Sequence, residues 1–136
     1  MARRPKALVL DSWSVIAYLE DEPAGQRVAD LIAGAHEDGT PIRMTVVNAG
    51  EVWYILARET SIADADQSIT ELRGLGIEFV EADWKLTREA AGFKAKYKMS
   101  YADCFAAALA KEQKADLATG DPEFKQVEGD VKIHWV

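Results

Sequence analysis

The chain has 136 residues, a formal net charge of −7 and a sequence pI near 4.8. That length predicts a single domain spanning residues 1–136, and the acidic balance argues against a protein that coats nucleic acid through its overall charge. The lone Cys104 excludes an internal disulfide framework and a cysteine-based zinc site.

The opening MARRPKALVLDS is basic, but its apolar run ends at Asp11. A run that short predicts neither a signal peptide nor a membrane span. Together with the single thiol, this leads us to expect a cytoplasmic protein. Ala7–Leu10 is continuously apolar, as suits a strand buried on both faces. The Glu20-Asp21-Glu22 run reads as a solvated turn. Pro23 then opens a helix at its first position, with Val28, Leu31, Ile32 and Ala35 as its apolar stripe. Ile42–Val46 is the second strand candidate. Val52, Ile55 and Leu56 mark the next helix, and Ile62, Ala65, Ile69 and Leu72 the one after, closed by Gly74 and Gly76. Ile77–Val80 alternates like an edge strand. Leu86, Ala90, Phe93 and Tyr97 mark a further helix. Tyr101–Ala110 is apolar or small nearly all round and predicts a buried helix. Leu117–Thr119 and the alternating Val131–His134 complete the strands. Strands alternating with helices or helix pairs predict an α/β fold with a mainly parallel sheet. In such sheets, sites lie beyond the carboxyl ends of the strands.

Carboxylates recur at those ends. Asp11-Ser12 follows the first strand, Asn48-Ala49-Gly50-Glu51 follows the second, Ser100-Tyr101-Ala102-Asp103 opens the buried helix, and Thr119-Gly120-Asp121-Pro122 follows the fourth strand. Each acid also reads as a helix cap. Asn48-x-x-Glu51 and Ser100-x-x-Asp103 resemble capping boxes, Asp121-Pro122 an N-cap with its proline, and Ser61-x-x-Asp64 repeats the pattern where no chemistry is evident. Taken together, the acids ask for more than caps. Asp103 is the only charge between Ser100 and Ala110, on the helix least able to solvate it. Four carboxylates in one crevice repel by several kcal/mol at a moderate dielectric. A bound cation relieves this far better than helix N-termini do. With Ser12, Asn48 and Thr119 close by, the all-oxygen donor set suits Mg²⁺ or Mn²⁺. Zinc is poorly served, since His36 and His134 join no cluster.

VLDSWSVIAYLEDEP, TVVNAGEVWYILAR and SYADCFAAALAKEQKADLATGDPEF, in that order and spacing, resemble the PIN domain family, and within it the VapC-type toxins of type II toxin–antitoxin systems. The resemblance implies a three-layer α/β/α sandwich with a five-stranded parallel sheet. It implies an acidic site at Asp11, Glu51, Asp103 and Asp121, supported by the hydroxyls of Ser12 and Thr119. Asn48 stands where the family commonly has Ser or Thr, so its role is open. The implied activity is endonucleolytic cleavage of RNA with Mg²⁺ or Mn²⁺, which acidifies a water and neutralises phosphate charge. The implied partners are a small antitoxin, a second copy of the chain, and RNA. For the antitoxin, an anionic pocket with apolar walls calls for a basic, amphipathic C-terminal segment. For the homodimer, the Ile62–Leu75 segment offers an apolar surface. For RNA, two basic groups are candidates: Lys85, Arg88, Lys94, Lys96 and Lys98, and separately Arg3, Arg4 and Lys6. Trp13 and Trp53 beside the acidic motifs suit either base stacking or packing.

The rival α/β chemistries lack their signatures. Trp13 stands where a haloacid-dehalogenase pattern needs a second Asp, Ser12 breaks the acidic pair of a phospho-receiver, and no GxGxxG follows the first strand. The remaining alternative is a PIN-fold RNA- or protein-binding module without toxin activity.

Overall fold

Leu8–Leu10 forms β1, the centre of a sheet ordered β3-β2-β1-β4-β5, in a computed structural model that describes residues 5–136. The other strands are β2 (Ile42–Thr45), β3 (Ile77–Val80), β4 (Asp116–Thr119) and β5 (Lys132–Trp135). All four pairings are parallel, with Val9 opposite Arg43 on one side and Leu117 on the other. The two alternating strands lie at the edges, as their pattern predicts. The alternation within Ala7–Leu10 feeds two cores. Ala7 and Val9 pack beneath the helices α5 (Trp84–Lys96) and α6 (Tyr101–Gln113), with Phe93, Phe105, Leu109 and Phe124. Leu8 and Leu10 pack on the opposite face against α1 (Ser12–Leu19), α2 (Gly25–Asp38), α3 (Val46–Glu59) and α4 (Ile62–Gly74), through Val15, Val28, Val52 and Leu72. The result is the three-layer α/β/α sandwich. Asp103 through Ala110 are all buried on α6, as its uniformly apolar sequence requires.

Three junctions differ from the sequence reading. α1 begins directly after Asp11, where the sequence predicts only a strand end. Asp11 caps it by accepting a hydrogen bond from the Ser14 amide at 2.9 Å. The second helix starts at Gly25, so Pro23 precedes it rather than holding its first position. A Cβ on Gly25 would press on the Ala17 carbonyl, so only glycine permits this approach of α2 to α1. The cap of α3 is Thr45, whose Oγ accepts from the Asn48 amide at 3.0 Å. Asn48 therefore lies inside the helix, and β2 ends one residue early.

With every strand parallel, the carboxyl ends share one edge. The chain order reverses between β1 and β4, which opens a crevice there. Leu10 pairs with Ala118, so Asp11 and Thr119 emerge side by side into it.

Candidate active site

Asp11 has no exposed surface. One carboxylate oxygen accepts from the Ser14 amide, and the other accepts from the Thr119 hydroxyl at 2.5 Å. The same Thr119 oxygen accepts from the Asp121 amide at 3.0 Å, so one hydroxyl links the deepest acid to the next. Asp121 caps the 3₁₀ turn Pro122–Val127 by accepting from the Glu123 amide at 2.9 Å, with Pro122 in the first turn as its sequence predicts. On α6, Ser100 is the cap and accepts from the Asp103 amide at 3.1 Å. The carboxylate of Asp103 is thus not needed for the cap, and it lies buried at the mouth of the crevice.

Asp103, Asp121 and Glu123 each place a carboxylate oxygen within 4.8 Å of the other two. Glu51 stands apart from this trio but lines the same cavity of about 370 Å³, with Ser12, Trp13, Ile16, Glu22, Ile55 and Ser100. Asp11 lies beneath the trio rather than at the cavity surface. Ser12 donates to the Asn48 carbonyl at 3.3 Å. The Asn48 side chain accepts from Thr45 at 2.6 Å and donates to the Ala102 carbonyl at 3.0 Å. Asn48 therefore ties the start of α3 to the start of α6, a positioning role that the sequence left open. Sequence reasoning missed Glu123. Its signal is the capping of the turn by Asp121, which places the second residue after it back beside the cap.

The electrostatics match this crowding. Burial raises Asp103 to about 8, helped by hydrogen bonding to Glu123 and by the charges of Asp11, Asp121 and Glu123. Burial also raises Asp11 to about 6, against the lowering effect of its bonds from Thr119 and Ser14. A site that resists its own ionisation in this way gains from a cation. The donors are carboxylates with a hydroxyl nearby, and no His or Cys lines the cavity among the described residues. That donor chemistry fits a hard divalent ion.

The PIN domain family profile matches residues 8–130. The chain belongs to the PIN domain family. No curated protein matches it in sequence. Among solved structures, this PIN domain resembles VapC20 of Mycobacterium tuberculosis, a sarcin–ricin-loop-cleaving toxin, with 16% identity and a TM-score of 0.73 over 94% of this chain and 99% of that one. It also resembles a chain of Rickettsia felis VapBC2 bound to a promoter DNA fragment, with 14% identity and a TM-score of 0.74 over 96% and 98% of the two chains. A DNA-bound VapBC of Salmonella typhimurium gives 13% identity and a TM-score of 0.73 over 95% and 97%. At these identities the likeness establishes the fold.

The basic residues divide. Lys94, Lys96 and Lys98 line an open recess that shares Ser100 and Glu123 with the acidic cavity of the PIN domain. Lys94 is partly occupied, donating to the Met99 carbonyl at 2.7 Å. Lys85 and Arg88 border other recesses, each beside Glu89. Arg3 and Arg4 lie outside the described residues. Trp53 is held by a 2.8 Å hydrogen bond to Asp66 and is absent from the cavity lining. No helix among the described residues is long and apolar enough to cross a membrane.

Proposed function

We propose that this PIN domain is a divalent-cation-dependent endoribonuclease that acts in the cytoplasm as the toxin of a toxin–antitoxin pair. The observation that carries this reading is the convergence of Asp103, Asp121 and Glu123 within 4.8 Å at the carboxyl edge of the parallel sheet, in an open cavity bordered by lysines. Asp103, Asp121 and Glu123 would hold Mg²⁺ or Mn²⁺, with Asp11 and Glu51 completing the acidic set. Such an ion supplies positive charge to a phosphodiester and acidifies water at neutral pH. The chain's own residues supply the rest. Thr119 orients Asp11 and the Asp121 backbone together. Ser12 and Asn48 fix the starts of α1, α3 and α6 against one another. Lys96 and Lys98 offset the repulsion between an incoming phosphate chain and the acidic cavity.

Purified protein should cleave RNA with Mg²⁺ or Mn²⁺ and not with chelator. Asp11→Asn and Asp103→Asn should abolish cleavage while leaving the circular dichroism spectrum native. Full cleavage in chelator, or full activity in both variants, would remove the assignment.

The partner we infer is a small antitoxin whose basic, amphipathic C-terminal segment lies across the cavity. An Arg or Lys would meet the acids, and apolar anchors would meet Trp13, Ile16 and Ile55. The structural relatives described as VapBC complexes support a partner of this kind. Unpartnered expression should arrest growth, and Asp121→Asn should relieve the arrest. For the homodimer, α4 buries Ala65 and Leu72 against its own chain and leaves Ile62 at 63% exposure, available to a second copy.

A further inference from the structure

Among the described residues, Trp13 is the one aromatic side chain in the wall of the acidic cavity, and it sits there under two constraints. It is the second residue of α1, two places after the buried Asp11, so its backbone is fixed by the same cap that fixes the acid. Its indole lies over Gly120, the residue between Thr119 and Asp121. A Cβ at Gly120 would overlap the outer carbons Cη2, Cζ2 and Cζ3 of the ring. With the ring in this position, Gly120 leaves no room for a side chain. The ring has been given the space above the backbone that carries Asp121. Yet the ring is not consumed by packing, because Trp13 remains 37% exposed and lines the cavity with Asp103 and Asp121. Trp53 and Trp135, by contrast, are engaged by hydrogen bonds to Asp66 and Glu128.

We propose that Trp13, seated on Gly120, is the platform on which an unpaired nucleobase next to the scissile phosphodiester stacks. The proposal rests on the nuclease reading above and names the base-binding subsite of that same site. One cavity joins two chemistries, an acidic trio and an apolar wall of Trp13, Ile16 and Ile55. A nucleotide has the same two parts, an anionic phosphate that needs a cation and a flat π-face that needs an aromatic. Stacking on one ring is tolerant of base identity but demands that the base be free of a duplex. Trp13 is thus a substrate-positioning residue that touches the base, while the acids act at the phosphate.

The test uses the full chain, Mg²⁺ and an RNA oligonucleotide whose cut position has been mapped. Substrates lacking the base on either side of the cut are then compared with the intact one. Wild-type protein should lose roughly 5- to 150-fold in kcat/KM on one of the two abasic substrates, the range expected of one stacked base. Trp13→Ala should lose a similar factor on the intact substrate and should no longer distinguish the abasic one. Trp13→Phe should recover most of the loss and Trp13→Leu should not, although both keep apolar bulk over Gly120. That contrast still holds if the alanine variant folds poorly. Trp13→Leu with wild-type kcat/KM, or with undiminished discrimination against the abasic substrate, overturns the subsite alone. Absence of any chelator-sensitive cleavage by the wild type overturns the nuclease reading first, and the subsite with it. A variant that cleaves normally but no longer binds its protein partner assigns Trp13 to that interface and overturns the base platform.

Discussion

The Thr119 hydroxyl connects the most deeply buried acid to the rim of the site, donating to Asp11 and accepting from the Asp121 amide. Thr119→Val preserves shape and removes both bonds. It leaves a fully buried carboxylate with one fewer donor and an amide without its acceptor. The expected cost at neutral pH is about 1–3 kcal/mol in denaturant unfolding, with Thr119→Ser restoring most of it. An unchanged midpoint for Thr119→Val would show that the link carries no weight. Asp103 gives the opposite sign. Its amide, not its carboxylate, makes the cap bond to Ser100, so Asn serves the helix as well. Asn also avoids the cost of a buried carboxyl that resists ionisation, first through burial and then through Glu123, Asp11 and Asp121 beside it. Metal-free Asp103→Asn should melt higher than metal-free wild type and respond less to Mg²⁺. A lower melting temperature, with a wild type indifferent to Mg²⁺, would return Asp103 to a capping role. At this scale the sequence was informative where an acid follows an apolar strand or interrupts an apolar helix, as at Asp11 and Asp103. It was silent on Glu123, one charge among several in a polar stretch, whose direction is set by a turn only six residues long.

Elements were legible by periodicity and less so at their joints. The buried α6, the edge strands and the α4 stripe follow from which positions are apolar. The joints depend on which of several equivalent caps wins. Thr45-x-x-Asn48 and Asn48-x-x-Glu51 are both plausible starts for α3. The first is realised because β2 runs straight into the helix with no loop between them. α1 was missed because its eight residues are nearly all apolar and carry little amphipathic contrast. Its turn into α2 supplies a test of the packing. Gly25→Ala would drive a methyl against the Ala17 carbonyl, which is backbone and cannot rotate away. We expect destabilisation of about 1–3 kcal/mol from this overpacking, seen as a lower thermal midpoint. Gly34→Ala in the same α2 meets open space and should be neutral or slightly stabilising. Equal effects from the two would show that the contact with Ala17 is not the cause.

Two groups of acids resist ionisation, the buried pair Asp11 and Asp103 in the crevice and Glu20 beside Glu59 and Glu22 on the surface, and pH should reveal the first. The parallel order could be inferred from the alternation of strands and helices, and with it the gathering of acids at one edge. The depth of each acid could not, because burial depends on how α1, α6 and the 3₁₀ turn close over the crevice. That depth raises Asp11 from 3.8 to about 6 and Asp103 from 3.8 to about 8. The folded state therefore binds these protons more tightly than the unfolded chain does. Their stabilising contribution is fully present below about 4 and is lost as pH rises through about 6 and then about 8. In chelator, the melting temperature should be higher near pH 5 than near pH 8.5. Mg²⁺ needs the deprotonated carboxylates, so its stabilising effect should be small near pH 5 and should grow with pH. It should reach about 2.7 kcal/mol when the ion is at a hundredfold excess over its Kd. Surface charge repulsion also grows with pH, and Asp103→Asn separates the two contributions. The variant keeps the surface charge nearly unchanged but lacks the group that titrates near 8, so its chelator curve should flatten in the upper part of the window. A wild-type curve that is level across the window, or a variant curve as steep as that of the wild type, would mean that the buried acids of the crevice do not carry the pH dependence assigned to them.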